Sequence, residues 1–308
     1  MFSEFSKFSK IKVKAPATTA NVGSSFDCLG IAADLFNYIT IEISDKDQYF
    51  YNGKATDFNL FILNIIETFF KFENKERPFF KVEIENYIPL SRGLGSSSAA
   101  IASTLVAINS LCFNDKYSLD ELLSFALNFE KHPDNLSPSF MGGMVISAIN
   151  DGKVSYYKFE EFIENFCDKK FLFFVPDYFI DTEESRGLLL KASANLSHRE
   201  YIRGMNDSTL NIISFAKGDF SALKKSMDDQ VWHHRQRSST IKFMDEIFKA
   251  ALENKADGVA ISGSGPTIVI VTDEKNIDSI KKSILKITEG EFFDLKPDNE
   301  GVQILWKK

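Results

Sequence analysis

The stretch PLSRGLGSSSAAIASTLVAI, residues 89–108, joins two glycines and three consecutive serines to an apolar run. Gly93 and Gly95 can adopt positive φ and allow another backbone or a ligand to approach closely. The serines, residues 96–98, open a run with helical apolar spacing, and the first N–H groups of a helix have no acceptor within it. Those N–H groups, the helix dipole and the hydroxyls suit an anion such as a phosphate. A plain capped helix is the alternative, but it needs one cap rather than three serines and two glycines.

Two other stretches are unusually rich in small residues. Residues 15–32, APATTANVGSSFDCLGIA, are polar and turn-like between two predicted strands. Residues 261–271, ISGSGPTIVIV, place Gly-Ser-Gly between apolar strand segments, where small residues indicate that a backbone or a ligand comes close. The chain contains no GxxxxGK[ST] motif, and the glycine loop at 93–95 lacks the GxGxxG spacing of dinucleotide folds.

The elements that position these loops follow from apolar periodicity. Apolar or alternating runs predict strands at residues 11–17, 36–44 and 79–88, and the third strand leads into the glycine loop. The capping box Ser118-x-x-Glu121 predicts a helix to about Phe129, which Pro133 is expected to break.

Later in the chain, a hairpin is predicted around residues 150–152, Asn-Asp-Gly. A second half opens with the strand KFLFFVP, continues with helices between about 182 and 254, and closes with strands around one more helix. We therefore predict an α+β fold with two domains, residues 1–160 and 161–308.

Composition limits the class of protein. The 308 residues are 44% hydrophobic and carry 36 basic against 43 acidic side chains, a net charge of −7. That balance argues against nucleic acid or an anionic membrane as the main partner. Three distant cysteines without a CxxC pair predict a reducing, cytoplasmic location. Residues 59–70, NLFILNIIETFF, are too short for a membrane span and predict a buried helix.

Four blocks of the chain resemble the GHMP kinase superfamily. PLSRGLGSSSAA resembles its phosphate loop and SGSGPT its C-terminal glycine motif, while PATTANVGSSFDCLG and KHPDNLSPSFMGG are most similar to homoserine kinases. The resemblance implies a GHMP kinase fold with an N-terminal ribosomal S5 domain 2-like domain and a C-terminal ferredoxin-like α/β sandwich. It also implies ATP-dependent phosphorylation of the side-chain hydroxyl of L-homoserine, a step towards threonine.

The same resemblance implies residue roles on the ATP side. The loop residues that would surround the ATP phosphates are Pro89, Leu90, Ser91, Arg92, Gly93, Leu94, Gly95, Ser96, Ser97, Ser98 and Ala99. Ser97 and Glu130 would bind Mg²⁺. Glu130 lies only two residues before His132, a shorter spacing than in some relatives.

On the acceptor side, the resemblance implies substrate binding by Asn21, Asp27, His132, Thr182, Arg186 and Gly263. Asp27 would pair with the ammonium group of an amino acid, and Arg186 would clamp its carboxylate. His132 and Asn135 would lie near the reacting hydroxyl. Asp134 falls where some superfamily members carry a general base, and whether a base is used here stays open.

A second substrate arginine is usual in homoserine kinases, and its place in DDQVWHHRQRSS is taken by Gln236. Arg235 and Arg237 flank that position and are the candidates. His233 and His234 are adjacent, point about 100° apart in a helix, and are predicted to lie at the surface or an interface. A kinase of another small alcohol and a catalytically silent nucleotide-binding relative remain alternatives, and a homodimer is compatible with the family.

Overall fold

The computed structural model describes residues 8–56, 60–178, 180 and 196–308. Its larger sheet has eight strands: β1 Lys10–Ala20, β2 Leu29–Ser44, β3 Gln48–Tyr51, β4 Lys54–Ala55, β5 Phe79–Asn86, β6 Met144–Asn150, β7 Lys153–Phe159 and β12 Gln303–Lys307. The main order is β12-β1-β2-β5-β3-β4, and β6 pairs with both β2 and β7. β5 alternates as its sequence predicts, with Phe80, Val82 and Ile84 buried.

Helices cover the larger sheet on one side: α1 Leu60–Phe72, α2 Ser96–Phe113, α3 Leu119–Ala126 and α4 Pro133–Met141. α2 packs on β1, β2 and the other three helices. Within the described part of the chain it is the one helix long and apolar enough to cross a membrane, but 89% of that 18-residue window is buried inside the protein. Its apolar character therefore belongs to the core.

The smaller sheet has four antiparallel strands: β8 Lys169–Pro176, β9 Gly258–Ile261, β10 Ile268–Asp273 and β11 Gly290–Leu295, in the order β11-β8-β10-β9. The described helices of this half are α5 Phe162–Asn165, α6 His198–Lys217, α7 Phe220–Ser226, α8 His234–Arg237, α9 Met244–Glu253 and α10 Ile277–Ile284. α9 and α10 cover one face of this sheet. Its other face packs against α6 and α7 and joins the core of the larger sheet.

The structure confirms several local predictions and corrects two. The capping box Ser118–Glu121 is formed, and the hairpin turns at Asp151 and Gly152, both with positive φ. The α+β fold with a ferredoxin-like strand order is confirmed. α3 ends at Ala126 rather than near Phe129, because the next three N–H groups bond to carbonyls three residues back. Pro133 does not simply stop a helix; it occupies the first turn of α4.

The last strand returns to the first sheet. β12 pairs antiparallel with β1, and Ala33 of β2 forms an isolated bridge with Pro297. Residues 303–307 are therefore part of the larger sheet, although they follow the ferredoxin-like strands in sequence. The division of the chain at residues 160 and 161 stays a prediction.

Candidate active site

The predicted phosphate loop lies between β5 and α2. Ser91, Gly93 and Gly95 have φ of 55°, 77° and 65°. Every second residue of the loop from 91 to 95 therefore lies in the left-handed region of backbone conformations. Gly95 is the N-cap of α2 and provides no side-chain hydrogen bond to the first turn. The N–H groups at the start of α2 therefore keep their capacity to bind an anion, as the sequence predicts.

Close packing explains why positions 93 and 95 are glycines. A Cβ on Gly93 would collide with the carbonyl oxygen of Ser262, and a Cβ on Gly95 would collide with the hydroxyl of Thr18. Ser262 Oγ donates to the Gly93 carbonyl at 2.6 Å, and the Thr18 N–H donates to the Leu94 carbonyl at 3.0 Å. The loop is thus clamped between β1 and the C-terminal glycine motif.

The loop opens onto a cavity of about 820 Å³. Predicted site residues that line it are Asn21, Pro89, Leu90, Ser91, Arg92, Gly93, Leu94, Gly95, Ser96, Ser97, Ser98, Glu130, His132, Asp134, Asn135, Arg237 and Gly263. Ala99 lies underneath, fully buried. Thr182 and Arg186 lie outside the described residues, and so does the side chain of Arg235.

The first turn of α4 brings polar groups to the cavity. His132 is the N-cap, and Asp134 is only 2% exposed. Asn135 Oδ1 accepts a hydrogen bond from Thr18 Oγ1 at 2.7 Å, which ties α4 to β1. Gly30 of β2 allows this approach, since a Cβ there would strike the Asp134 carbonyl. The predicted KHPDN block therefore forms a rigid wall.

Asp27 lies beside this wall. Its Oδ2 is 3.7 Å from His132 Nδ1, and its N–H donates to Asn21 Oδ1 at 2.6 Å. Asn21 and Asp27 both have positive φ, 58° and 53°. Neighbouring Cys28 is half-buried, and burial raises the pKa of its thiol to about 11, so it stays a neutral packing residue at pH 7.

The two predicted magnesium ligands line the same cavity. Ser97 is exposed at the start of α2, and Glu130 is half-buried after α3. No cluster of three or more histidine, cysteine, aspartate or glutamate side chains that could hold a metal occurs among the described residues. Mg²⁺ is commonly held by one or two protein oxygens together with substrate phosphates and waters. The hydroxyl and the carboxylate fit that kind of shared site.

His233 and His234 do not lie at the surface, and that prediction was wrong. They are 0% and 3% exposed. Asp229, 1% exposed, accepts the N–H groups of residues 231–234 at 2.6–3.0 Å and holds the turn inside the protein. Burial alone would raise the pKa of Asp229, but both histidines and these N–H groups hold it below its usual value.

Arg237 reaches the cavity from this buried turn. Its Nη1 donates to the Gly263 carbonyl at 2.7 Å and contacts His233 Nδ1 at 3.1 Å. The side chain is 2% exposed and lines the cavity. Of the two arginines that flank Gln236, Arg237 is therefore the one that the described structure places at the site.

One end of the cavity was not predicted from sequence. It is lined by apolar and amide side chains from β2, β5 and α1, among them Asn37, Phe61, Ile62, Ile84 and Asn86. Asn86 Nδ2 donates to Tyr51 Oη at 3.0 Å. These residues sit within ordinary strand and helix patterns, so no sequence signal separates them from core positions.

Known proteins that resemble this chain belong to the same family in its N-terminal and C-terminal halves. The sequence profile of the GHMP kinases N terminal domain matches residues 61–143, and that of the GHMP kinases C terminal domain matches residues 211–287. A homoserine kinase of Clostridium kluyveri is 36% identical over 96% of this chain and 99% of its own length. One of Caldicellulosiruptor bescii is 32% identical over 96% of both chains. The chain belongs to the homoserine kinase family.

Solved structures agree with this membership. The crystal structure of homoserine kinase from Cytophaga hutchinsonii has a TM-score of 0.84 at 25% identity, covering 97% of this chain and 98% of that one. Mevalonate diphosphate decarboxylase from Staphylococcus aureus has a TM-score of 0.73 at 16% identity, covering 97% and 98%. Since the second similarity shows the fold alone, homoserine kinase membership rests on sequence identity, and the chemistry must be argued from the site.

Proposed function

We propose that this chain transfers the terminal phosphoryl group of ATP to the side-chain hydroxyl of L-homoserine, giving O-phospho-L-homoserine and ADP. One observation carries the proposal. The anion-binding start of α2, the polar start of α4 and the Arg237 guanidinium all face one cavity. A triphosphate, a hydroxyl acceptor and a carboxylate each find a complementary group there.

The phosphate loop would hold the nucleotide. N–H groups at residues 96–98 would donate to phosphate oxygens, and the close packing of Gly93 and Gly95 would hold the loop in place before the nucleotide arrives. Ser97 and Glu130 would hold Mg²⁺, which neutralises developing charge on the phosphates when bound. The apolar end of the cavity offers space for the nucleoside.

The acceptor would be held by opposite charges at its two ends. Arg237 can pair with the α-carboxylate in a bidentate manner, because its guanidinium carries further N–H donors beyond Nη1. Asp27, with Asn21 beside it, is suited to the α-ammonium. Arg186 and Thr182, outside the described residues, are proposed as further contacts. This arrangement would turn the side-chain hydroxyl towards His132 and Asn135.

Transfer would then be direct. The hydroxyl oxygen bonds to the terminal phosphorus, the bond from that phosphorus to the bridging oxygen breaks, and ADP leaves with the electron pair. The hydroxyl proton is lost to solvent or to a phosphate oxygen. Positioning and charge neutralisation account for most of such a reaction. Asp134 is therefore assigned to holding the start of α4, where its Oδ1 accepts the Asn135 N–H at 3.0 Å.

An ADP-release assay with L-homoserine, L-serine, L-threonine and mevalonate tests the proposal. We expect ADP to form with L-homoserine far above the others and the product to be identified by mass as O-phospho-L-homoserine. Preference for mevalonate would reassign the enzyme to another alcohol. ATP binding without ADP formation from any acceptor would make it a silent nucleotide-binding relative. The threonine pathway, a cytoplasmic location and a homodimer belong to the same proposal.

A further inference from the structure

His233 joins two parts of the candidate active site. Its Nε2 lies 2.7 Å from the Asn21 carbonyl oxygen and 3.1 Å from the Gly23 carbonyl oxygen. Its Nδ1 lies 3.1 Å from Nη1 of Arg237. One imidazole ring therefore contacts both the loop that leads to Asp27 and the arginine that lines the cavity.

The partners determine which nitrogen carries the hydrogen. Carbonyl oxygens can only accept, so Nε2 must be the protonated nitrogen. A guanidinium can only donate, so Nδ1 must be the unprotonated acceptor. The contacts thus assign His233 to a single neutral tautomer. Burial also lowers the pKa of His233 well below its usual value, and the charge on Arg237, like that on His234 when it is protonated, acts in the same direction.

The surroundings hold the ring in place. His233 is 0% exposed, and its backbone N–H donates to Asp229 Oδ2 at 2.6 Å. Its ring centroid lies 5.6 Å from that of Phe26 and 4.7 Å from that of His234. Rotation of the imidazole would break contacts on both sides at once.

Arg237 gains its orientation from this ring. The two hydrogens of Nη1 are directed to the Gly263 carbonyl and to His233 Nδ1, which fixes the plane of the guanidinium. The donors on Nε and Nη2 then lie on the other edges of that plane. Loss of the imidazole would remove one of the two acceptors of Nη1 and so weaken the restraint on the plane of the guanidinium.

We propose that His233 is a positioning residue for the acceptor: it sets the direction in which Arg237 presents its guanidinium and couples that direction to the Asn21–Gly23 backbone. The inference rests on the proposed function, in which Arg237 pairs with the carboxylate of the acceptor. It predicts that loss of the imidazole weakens acceptor binding without changing nucleotide binding.

Two variants separate positioning from general stability. His233→Leu removes both contacts, whereas His233→Gln keeps an N–H donor and a carbonyl acceptor on a side chain of similar reach. We expect His233→Leu to raise KM for L-homoserine by about tenfold to a hundredfold, the worth of a hydrogen bond to a charged group. KM for ATP should change less than about twofold, and His233→Gln should restore most of the affinity for L-homoserine.

A carboxylate-free acceptor sharpens the test. 3-Amino-1-propanol is L-homoserine without its carboxylate, so its slow turnover should be equal in wild type and His233→Leu. Equal losses for both acceptors would show general damage and overturn the inference. An unchanged KM for L-homoserine in a folded His233→Leu variant would also overturn it.

A different experimental result would show that the proposed function, rather than the role of His233, is wrong. If Arg237→Ala leaves KM for L-homoserine unchanged, Arg237 is not the carboxylate anchor and the proposed function is wrong at that step. ¹⁵N NMR of the histidine rings in wild-type protein tests the tautomer directly, even if His233→Leu does not fold. An Nε2–H signal with Nδ1 as acceptor at pH 7 supports the inference, and an Nδ1–H tautomer refutes it.

Discussion

Replacement of Gly93 by alanine tests the clamp on the phosphate loop. Gly93 has φ of +77°, and an added Cβ would strike the Ser262 carbonyl oxygen and lie 3.0 Å from the Gly265 nitrogen. The left-handed backbone costs an alanine roughly 1 kcal/mol. Forcing the two loops apart and losing the bond from Ser262 Oγ adds more, so we expect a loss of about 3 kcal/mol in the free energy of unfolding.

The same displacement should affect catalysis. A shift of about 1 Å in groups that position a phosphate can cost roughly a hundredfold in rate. We therefore expect Gly93→Ala to lower kcat/KM for ATP by about that factor. Urea denaturation measures the stability change, and ADP release at varied ATP concentration measures the kinetic change.

Gly152 provides the matched control. It also has a left-handed φ, +73°, but an added Cβ there meets nothing within 4 Å, and it lies in the β6–β7 turn outside the cavity lining. Gly152→Ala should cost about 1 kcal/mol from backbone strain alone and leave turnover unchanged. If Gly93→Ala is as stable and as active as Gly152→Ala, the loop is not clamped as described.

Three further results are expected. Asp134→Asn should lower kcat by less than about tenfold, short of the roughly 10²–10⁴ that a general base supplies; a collapse with KM for L-homoserine intact would make Asp134 the base. Glu130→Gln should raise the Mg²⁺ concentration needed for half-maximal activity, and an unchanged Mg²⁺ titration would remove Glu130 from the metal site. His233 and His234 have lowered pKa values, so below about pH 6.5 the unfolded chain binds protons that the folded chain does not, and stability should fall by up to about 1.4 kcal/mol per pH unit for each ring. Asp229, with a depressed pKa, should add to the loss below about pH 4; urea denaturation at pH 7, 6 and 5 that gives equal stabilities would contradict the histidine prediction.

Local backbone structure could be predicted from the sequence where the residue types favour only a few conformations. Two glycines followed by serines after a strand predict a tight loop into a helix, and the positive φ of Gly93 and Gly95 confirms that backbone conformation. Phosphate binding by this loop stays a prediction. Ser118 and Glu121 specify a helix start through their own side chains. Gly263 was singled out as a close approach, and it lies against the Gly93 backbone.

Burial and strand pairing that depend on residues far away in the sequence could not be predicted in this way. His233 and His234 look like surface residues because adjacent polar side chains in a short helix show no apolar face. They are buried because Asp229 holds their N–H groups and because Asn21 and Ile261, far away in sequence, bond to their rings. Pairing of β12 with β1 is likewise a long-range event that alternation within either strand cannot reveal.

The pairing of β12 with β1 has a consequence for synthesis of the chain. Thr18, which bonds to the predicted phosphate loop, lies on β1, and residues 303–308 pair with residues 10–14 of the same strand, on the edge opposite β2. During synthesis, residues 10–14 leave the ribosome long before residues 303–308, so the backbone groups on that edge lack their final partners until those residues have been made. An unpaired strand edge can form hydrogen bonds with a strand of another chain, which leads to aggregation. A nascent chain that stalls late in translation should therefore be held by chaperones and aggregate when released.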